Sequence, residues 1–110
     1  MALFITYASY SQSGTQGLMT NPEDRRVAIQ KLCDKVGARV VELYMTTGSN
    51  DVVLVTEAED GADAVALGMA VSSSGSISKA ETVRAWTSAE FVEITKKAGS
   101  LTGAYTPPGA

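Results

Sequence analysis

The chain has 110 residues, of which 45% are hydrophobic, and this composition is typical of one folded domain and excludes wholesale disorder. Its net charge is −3 and its basic residues are scattered, which argues against a nucleic-acid surface and a basic membrane-surface helix. The chain has no histidine and one cysteine, Cys33, which excludes a histidine base, a histidine-ligated metal and an intrachain disulfide. We therefore predict no metal and no organic cofactor.

The first residues alternate as a strand does, without the basic segment and apolar run of a signal peptide. No apolar run approaches the roughly 20 residues that a membrane span needs. A single thiol fits a reducing compartment. We expect a cytoplasmic protein that binds neither membranes nor nucleic acid.

The first half of the chain predicts a strand, a helix and a two-stranded hairpin. The predicted elements are a strand over residues 2–10, a loop over 11–20, a helix from a cap at Asn21 to about Val36, and strands over 38–47 and 52–57. The loop prediction rests on two glycines and four hydroxyl residues. Pro22 and two following acids suit a first helical turn, and Gly37 ends the helix. A short hairpin loop, Gly48 to Asp51, joins the last two strands.

The second half predicts a helix, a strand and a shorter helix. Asp60 caps a helix rich in alanine, valine and leucine, and Gly75 ends it. A strand follows over residues 76–86. Thr87 and Glu90 form a capping box for a short helix through about Ala98. The tail, residues 99–110, holds glycine, serine and two prolines without a period, which predicts a loosely ordered segment.

The order of elements is β-α-β-β-α-β-α. It predicts an α+β, ferredoxin-like domain over residues 1–98, with a four-stranded antiparallel sheet, both main helices on one face and a short C-terminal helix.

Strand alternation divides the sheet residues into two sets. The set predicted to lie under the helices is Leu3, Ile5, Tyr7, Val41, Leu43, Met45, Val53, Val55, Val83 and Ala85. The set predicted to lie on the open face includes Phe4, Val40, Tyr44, Val52, Leu54 and Trp86, with Glu42, Thr82 and Arg84 among them. Because a free face this apolar usually meets a partner, we predict a homodimer or higher oligomer, with a small-molecule pocket between two such faces as a further possibility.

The candidate site residues lie on or beside that face. Asp51 is either a cap for its turn or a carboxylate at a cavity rim. At the rim it is a candidate catalytic base, as is Glu42. Glu42 and Arg84 are expected to form a charge pair in the interface between copies. Alternatively, the planar guanidinium of Arg84 binds a ligand carboxylate. The predicted ligand-binding set is Tyr10, Tyr44, Thr82, Arg84 and Trp86. Cys33 lies on the apolar stripe of its helix and is predicted to be core.

Two segments of the chain resemble the GYD domain family: ELYMTTGSNDVVLVTEA and ETVRAWTSAEFVEI. The family pattern is aromatic-x-T-x-G, then x-Tyr-Asp and an apolar strand, and later T-x-R-A-aromatic before an acidic helix. The matching residues are Tyr44, Thr46, Gly48 and Asp51 in the first part and Thr82, Arg84, Ala85 and Trp86 in the second. Asn50 stands where the family has its tyrosine, which removes any role of a tyrosine ring there and leaves a residue well suited to a turn.

The resemblance covers residues 2 to 98 and implies the dimeric α/β-barrel group, in which two ferredoxin-like units pack sheet to sheet. It implies no particular activity, because one fold carries many functions. Three functions remain open at this point. The chain is a self-associating module that binds a small molecule or assembles through its open face, a cofactor-independent enzyme with a carboxylate base in the cavity between sheets, or a structural module that attaches to partners by its tail or last helix.

Overall fold

The structure is a computed structural model that describes residues 1–110. Its elements are β1 (Ala2–Tyr10), α1 (Gln12–Thr20), α2 (Arg25–Asp34), β2 (Arg39–Met45), β3 (Val52–Ala58), α3 (Gly61–Ser73), β4 (Ile77–Ala85), α4 (Ser88–Leu101) and a 3₁₀ turn (Thr102–Ala104). Every predicted strand and helix is present within a few residues of its predicted bounds. No helix combines the length and the apolar character required to cross a membrane.

The four strands form one antiparallel sheet in the order β2-β3-β1-β4. Helices α2 and α3 cover one face of it, which confirms the predicted ferredoxin-like α+β fold. The buried core lies between those helices and the sheet, and consists of Phe4, Cys33, Ala38, Val40, Ala58 and Ala64. Cys33 is 2% exposed, as its place on the apolar stripe predicted.

The loop predicted over residues 11–20 is wrong, because this segment is helix α1. The hydroxyl of Ser11 caps the helix by accepting a hydrogen bond from the Gly14 N–H. Gly14 itself faces the start of β4: a Cβ placed there would lie 2.2 Å from the Ser76 carbonyl oxygen. The glycine that suggested a loop is therefore required by close packing of a helix on a strand.

The start predicted for the next helix is also wrong by several residues. Asn21 ends α1, and its N–H donates to the Gly17 carbonyl. Asp24 is the cap of α2 and accepts from the Arg26 N–H at 2.9 Å. Both residues are good caps in isolation, and the choice between them depends on the presence of α1.

In β1, β3 and β4, the residues predicted to lie on the open face lie under the helices, and those predicted to lie under the helices lie on the open face. Phe4 pairs with Thr56 and with Arg84, and these residues lie on the side of the helices, together with Thr82, Val52 and Leu54. Ile5 pairs with Val55 and Val83 on the open side. Both sets in β1 and β3 are apolar, so alternation alone does not say which one is covered.

A β-bulge decides the phase of β2. The register shifts between Val40 and Glu42, so Val41 is an extra residue and the alternation changes there. Val40 and Leu43 both lie on the helix side as a result. The prediction placed Val40 on the open face because it assumed a regular strand.

The C-terminal helix is longer than predicted. Its capping box is confirmed, with Thr87 N–H donating to the Glu90 carboxylate at 2.9 Å and Glu90 N–H donating to the Thr87 hydroxyl at 3.1 Å. The helix continues past Ala98 to Leu101, and a 3₁₀ turn follows, so the first part of the predicted loose tail is helical.

Candidate functional site: the open sheet face

The open face of the sheet carries cross-strand rows of side chains with an apolar centre. One row is Glu42, Val55, Ile5 and Val83, and the next is Tyr44, Val53, Tyr7 and Glu81. A further row is Arg39, Glu57, Leu3 and Ala85. The central strands β3 and β1 supply most of the aliphatic side chains, whereas the charged ones lie mainly on the outer strands. Helices α2 and α3 both lie on the opposite side, and α1 and α4 make few contacts with the sheet.

The charged groups along the outer strand β2 are already paired. Arg39 lies 2.9 Å from Glu57, and Arg26 lies 3.7 Å from Glu42. The Arg26 guanidinium also donates to the carbonyls of Val40 and Val41, at 3.3 and 3.1 Å. It therefore covers the free backbone edge of β2 at the bulge, which disfavours further strand pairing at that point.

A second feature is a cavity of about 110 Å³ between the sheet and helices α2 and α3. Its lining is mostly apolar, with residues such as Ile29, Leu54 and Leu67. Tyr10 and Arg25 lie at its polar end. Burial raises the pKa of the Tyr10 phenol, and the neighbouring Arg25 guanidinium opposes that rise. The cavity can hold a small apolar body with one polar group directed at Tyr10 and Arg25.

Asp51 lies in the β2–β3 turn and not in the cavity lining. Its Oδ2 accepts from the backbone N–H of Tyr10 at 2.9 Å, and its own N–H donates to the Ala8 carbonyl at 2.8 Å. Thr46 and Asn50 close the same turn through a hydrogen bond of 2.7 Å from the threonine hydroxyl to the asparagine carbonyl. The Asp51 carboxylate therefore holds the backbone of β1 and not that of its own turn, which is a structural contact other than the predicted turn cap.

Arg84 lies near the end of β4, against two aromatic rings. Its guanidinium carbon is 4.4 Å from the centre of the Trp86 ring and 5.8 Å from that of Phe4. The same guanidinium donates to the Leu3 carbonyl at 3.2 Å. Its planar fork is therefore engaged with the protein. Arg84 and Glu42 lie on opposite faces of the sheet, since Arg84 pairs with Phe4 and Glu42 pairs with Val55, and their charge pair across an interface stays a prediction.

The structure thus separates the predicted ligand-binding residues. Tyr10 and Thr82 line the cavity under the helices, Arg84 and Trp86 stack at the end of β4, and Tyr44 lies on the open face. Sequence reasoning missed Arg25 as a cavity residue. The only signal for it was its position directly after the Asp24 cap, which places it in the first turn of α2.

Comparisons with known proteins agree with this architecture. A profile of the GYD domain matches residues 4–95. The "Glutamine synthetase and cystathionine beta-lyase binding protein" of Thermus thermophilus is 35% identical over 77 residues, which is 70% of this chain and 81% of that protein.

Two solved structures resemble the fold at low sequence identity. The crystal structure of FFRP-DM1 has a TM-score of 0.55 and 15% identity, and the match covers 78% of this chain and 100% of that one. The crystal structure of TTHA0845 from Thermus thermophilus has a TM-score of 0.52 and 17% identity, over 80% of this chain and 96% of that one. These two likenesses support the fold, and the profile match together with the Thermus relative shows the family: the chain belongs to the GYD domain family.

Proposed function

We propose that this protein is a homodimeric binding module that joins a second copy through its open sheet face and holds other proteins on its remaining surface. The observation that carries the proposal is the apolar centre of that face, which no element of the chain covers. Apolar and aromatic side chains of β1 and β3 lie there in adjacent rows, with Ile5 beside Val55 and Tyr7 beside Val53. Removing such a surface from water is the main driving force of association.

The distribution of charge supports a symmetric pairing. A two-fold interface uses the same patch on both copies, so its centre must be self-complementary. An apolar centre meets this condition, whereas a centre of one charge sign does not. The charged residues of the face lie mostly at its borders, where they stay hydrated after pairing.

The family relative supports the second half of the proposal. Its name describes a protein that binds two enzymes, glutamine synthetase and cystathionine beta-lyase. We therefore assign this chain to protein binding in preference to catalysis. The candidate bases favour the same choice, because Asp51 accepts from the Tyr10 N–H and Glu42 faces Arg26.

The decisive experiment is sedimentation equilibrium of the wild type and of Val55→Glu. We expect the wild type to associate at micromolar concentration, and the variant to need at least about 100-fold more protein, because a carboxylate would be buried at the interface centre. Val65→Glu is the matched control, since Val65 is 62% exposed on α3 and lies away from the face. A monomeric wild type, or a Val55→Glu protein that associates as the wild type does, contradicts the proposal.

A double variant controls for the chance that Val55→Glu misfolds. It carries Val53→Thr and Val55→Thr, which keep the β-branched shape that strands prefer but make the face polar. We expect weaker association with an unchanged circular dichroism spectrum. Partner binding is tested by co-elution with purified glutamine synthetase from the same source. Absence of co-elution at tens of micromolar would contradict the protein-binding half alone.

The cavity under the helices supports a second candidate function, the binding of a small molecule. Its apolar walls and the Tyr10 and Arg25 end fit a compact apolar carboxylate, which would compete with Glu23 for the Arg25 guanidinium. Native mass spectrometry of protein purified without added ligand is the test. An extra mass that is lost on denaturation, and is absent from Arg25→Ala but retained by Arg39→Ala, supports this function. A wild type that carries no extra mass and gains none with millimolar benzoate contradicts it.

A further inference from the structure

Helix α4 projects from the body of the protein as an arm. None of its residues is fully buried, and its main contacts are the Trp86–Phe91 ring contact at its root and the 3₁₀ turn that follows it. The molecule is 60 Å long and 22 Å thick, with a radius of gyration of 17.7 Å. A compact chain of this length has a radius of gyration of roughly 13 Å. The arm accounts for an elongated shape that the sheet and its two covering helices do not require.

The arm nevertheless has the pattern of a helix that packs on something. Phe91, Ile94, Ala98 and Leu101 follow the i, i+3, i+7, i+10 spacing of one helix face. Phe91 is 48% exposed and Leu101 is 60% exposed. A helix of 14 residues is marginal in water without tertiary contacts. The stripe therefore requires a cover that the chain itself does not provide.

We propose that α4 pairs antiparallel with α4 of a second copy, about a two-fold axis that passes close to Ile94. In this alignment Ile94 meets its own counterpart, and Phe91 of each copy meets Ala98 of the other. A large side chain then faces a small one at each end, which is the arrangement that fills an interhelical space without voids. The pairing does not depend on the open sheet face, because it uses a different element.

The charged residues of α4 favour a second copy of this chain as the partner that covers the apolar stripe. Glu90 and Lys97 lie on one flank of the stripe, seven residues or about two turns apart. The hydrogen bond from the Thr87 N–H lowers the pKa of Glu90, so this carboxylate is ionised at neutral pH. Lys97 makes no ion pair within the protomer. Antiparallel pairing brings the same flank of each helix together and so places Glu90 of each copy near Lys97 of the other, whereas parallel pairing would place both residues against the opposite flank of the partner helix.

The remaining charged pair of the arm lies away from the stripe and is already satisfied. Lys96 contacts Glu93 at 3.3 Å on the outer side of the helix. It therefore provides a control for the flank charges. Val92 provides a second control, because it is 49% exposed but also lies on the outer side of the helix.

The test is disulfide formation in full-length Ile94→Cys under mild oxidation. We expect a symmetric covalent dimer that forms at least about 10-fold faster than in Val92→Cys. Wild-type protein reports the background, because its native Cys33 is buried. Adding Lys97→Glu to Ile94→Cys should slow the crosslink several-fold, whereas adding Lys96→Glu should not. These residues project from the body, so the variants leave the folded core unchanged.

Two results would overturn the pairing. One is an Ile94→Cys protein that stays monomeric on denaturing gels, including the case in which the arm instead holds an unrelated partner. The other is equal crosslinking of Val92→Cys and Ile94→Cys, which would indicate random collision. Failure here is distinct from failure of the sheet-face dimer, because Val55→Glu addresses β3 and its result is read from the mass in solution.

Discussion

The carboxylate of Asp51 holds the backbone of Tyr10: Oδ2 lies 2.9 Å from the Tyr10 nitrogen, across 41 positions of sequence. The bond is formed where the ladder between β1 and β4 shifts register, between Ser9 and Tyr10. The Asp51 N–H also donates to the Ala8 carbonyl. The β2–β3 turn therefore holds the end of β1 in place. Asp51, the candidate base at this turn, makes structural hydrogen bonds to β1.

Removal of this carboxylate should destabilise the fold. We expect Asp51→Ala to lower the free energy of unfolding by about 1.5–3 kcal/mol, since the lost bond is to a charged acceptor. Asp51→Asn keeps a neutral acceptor and should lose less. Ser9→Ala is the control, because it removes only an exposed hydroxyl bond to the Ser49 carbonyl. Urea denaturation measures all three, and a fully stable Asp51→Ala would reopen the cavity-rim role.

Alanine substitutions at two glycines of α1 should have opposite effects. Gly14→Ala places a Cβ against the Ser76 carbonyl, and we expect a loss of about 1–3 kcal/mol because backbone must move. Gly17→Ala meets no atom within 4 Å and should stabilise the protein by about 0.5–1 kcal/mol through helix propensity. Thermal unfolding of the pair tests whether α1 is packed on β4. Equal effects would contradict that packing.

The Cys33 thiol should make stability fall at alkaline pH. Burial, and then the nearby Asp34 carboxylate, raise the pKa of Cys33. The folded state therefore keeps its proton at pH values where the unfolded thiol, with a pKa of about 8.5, loses it. The free energy of unfolding is highest below that value and decreases as the pH rises towards the folded pKa.

Cys33→Ala should flatten the first part of this alkaline decline. The Tyr10 phenol, whose pKa is also raised by burial, contributes in the same direction at higher pH. Denaturation curves over the range of roughly pH 7 to 10, which spans the unfolded thiol and phenol pKa values, provide the measurement. Thiol labelling gives an independent reading, since native Cys33 should react at least about 100-fold more slowly than the exposed thiol of Val92→Cys. Rapid native labelling would show that the Cys33 thiol is accessible.

Arg84 should report on the aromatic stack at the end of β4. Arg84→Ala removes a guanidinium that lies 4.4 Å from the centre of the Trp86 ring. We expect a loss of about 0.5–1 kcal/mol and a shift in tryptophan fluorescence, since Trp86 is the only tryptophan. Arg84→Lys should recover part of the stability, because it keeps the charge but not the planar stacking. Arg39→Ala is a control that leaves the fluorescence unchanged.

Local chemistry along the chain was enough to predict the four strands, three of the four α-helices and most of their ends. Asp60 caps α3 and the box of Thr87 and Glu90 caps α4, as their residue types predicted. Gly75 has a φ of 79° just past α3, in the left-handed region that glycine adopts without steric strain. The family motifs are local in the same sense, since they lie within one hairpin and one strand.

The covered face of the sheet, by contrast, was settled by packing between distant parts of the chain. Leu3 and Phe4 are both apolar neighbours on β1, and nothing within the strand says which one meets the helices. The bulge at Val41 depends on the pairing of β2 with β3, and the helix over residues 12–20 depends on Gly14 reaching Ser76. Each of these outcomes is set by atoms distant in sequence. Local pattern therefore identified most of the elements, whereas long-range packing placed Tyr10, Thr82 and Arg84 on the side of the helices and left Ile5, Tyr7 and Val55 on the open face.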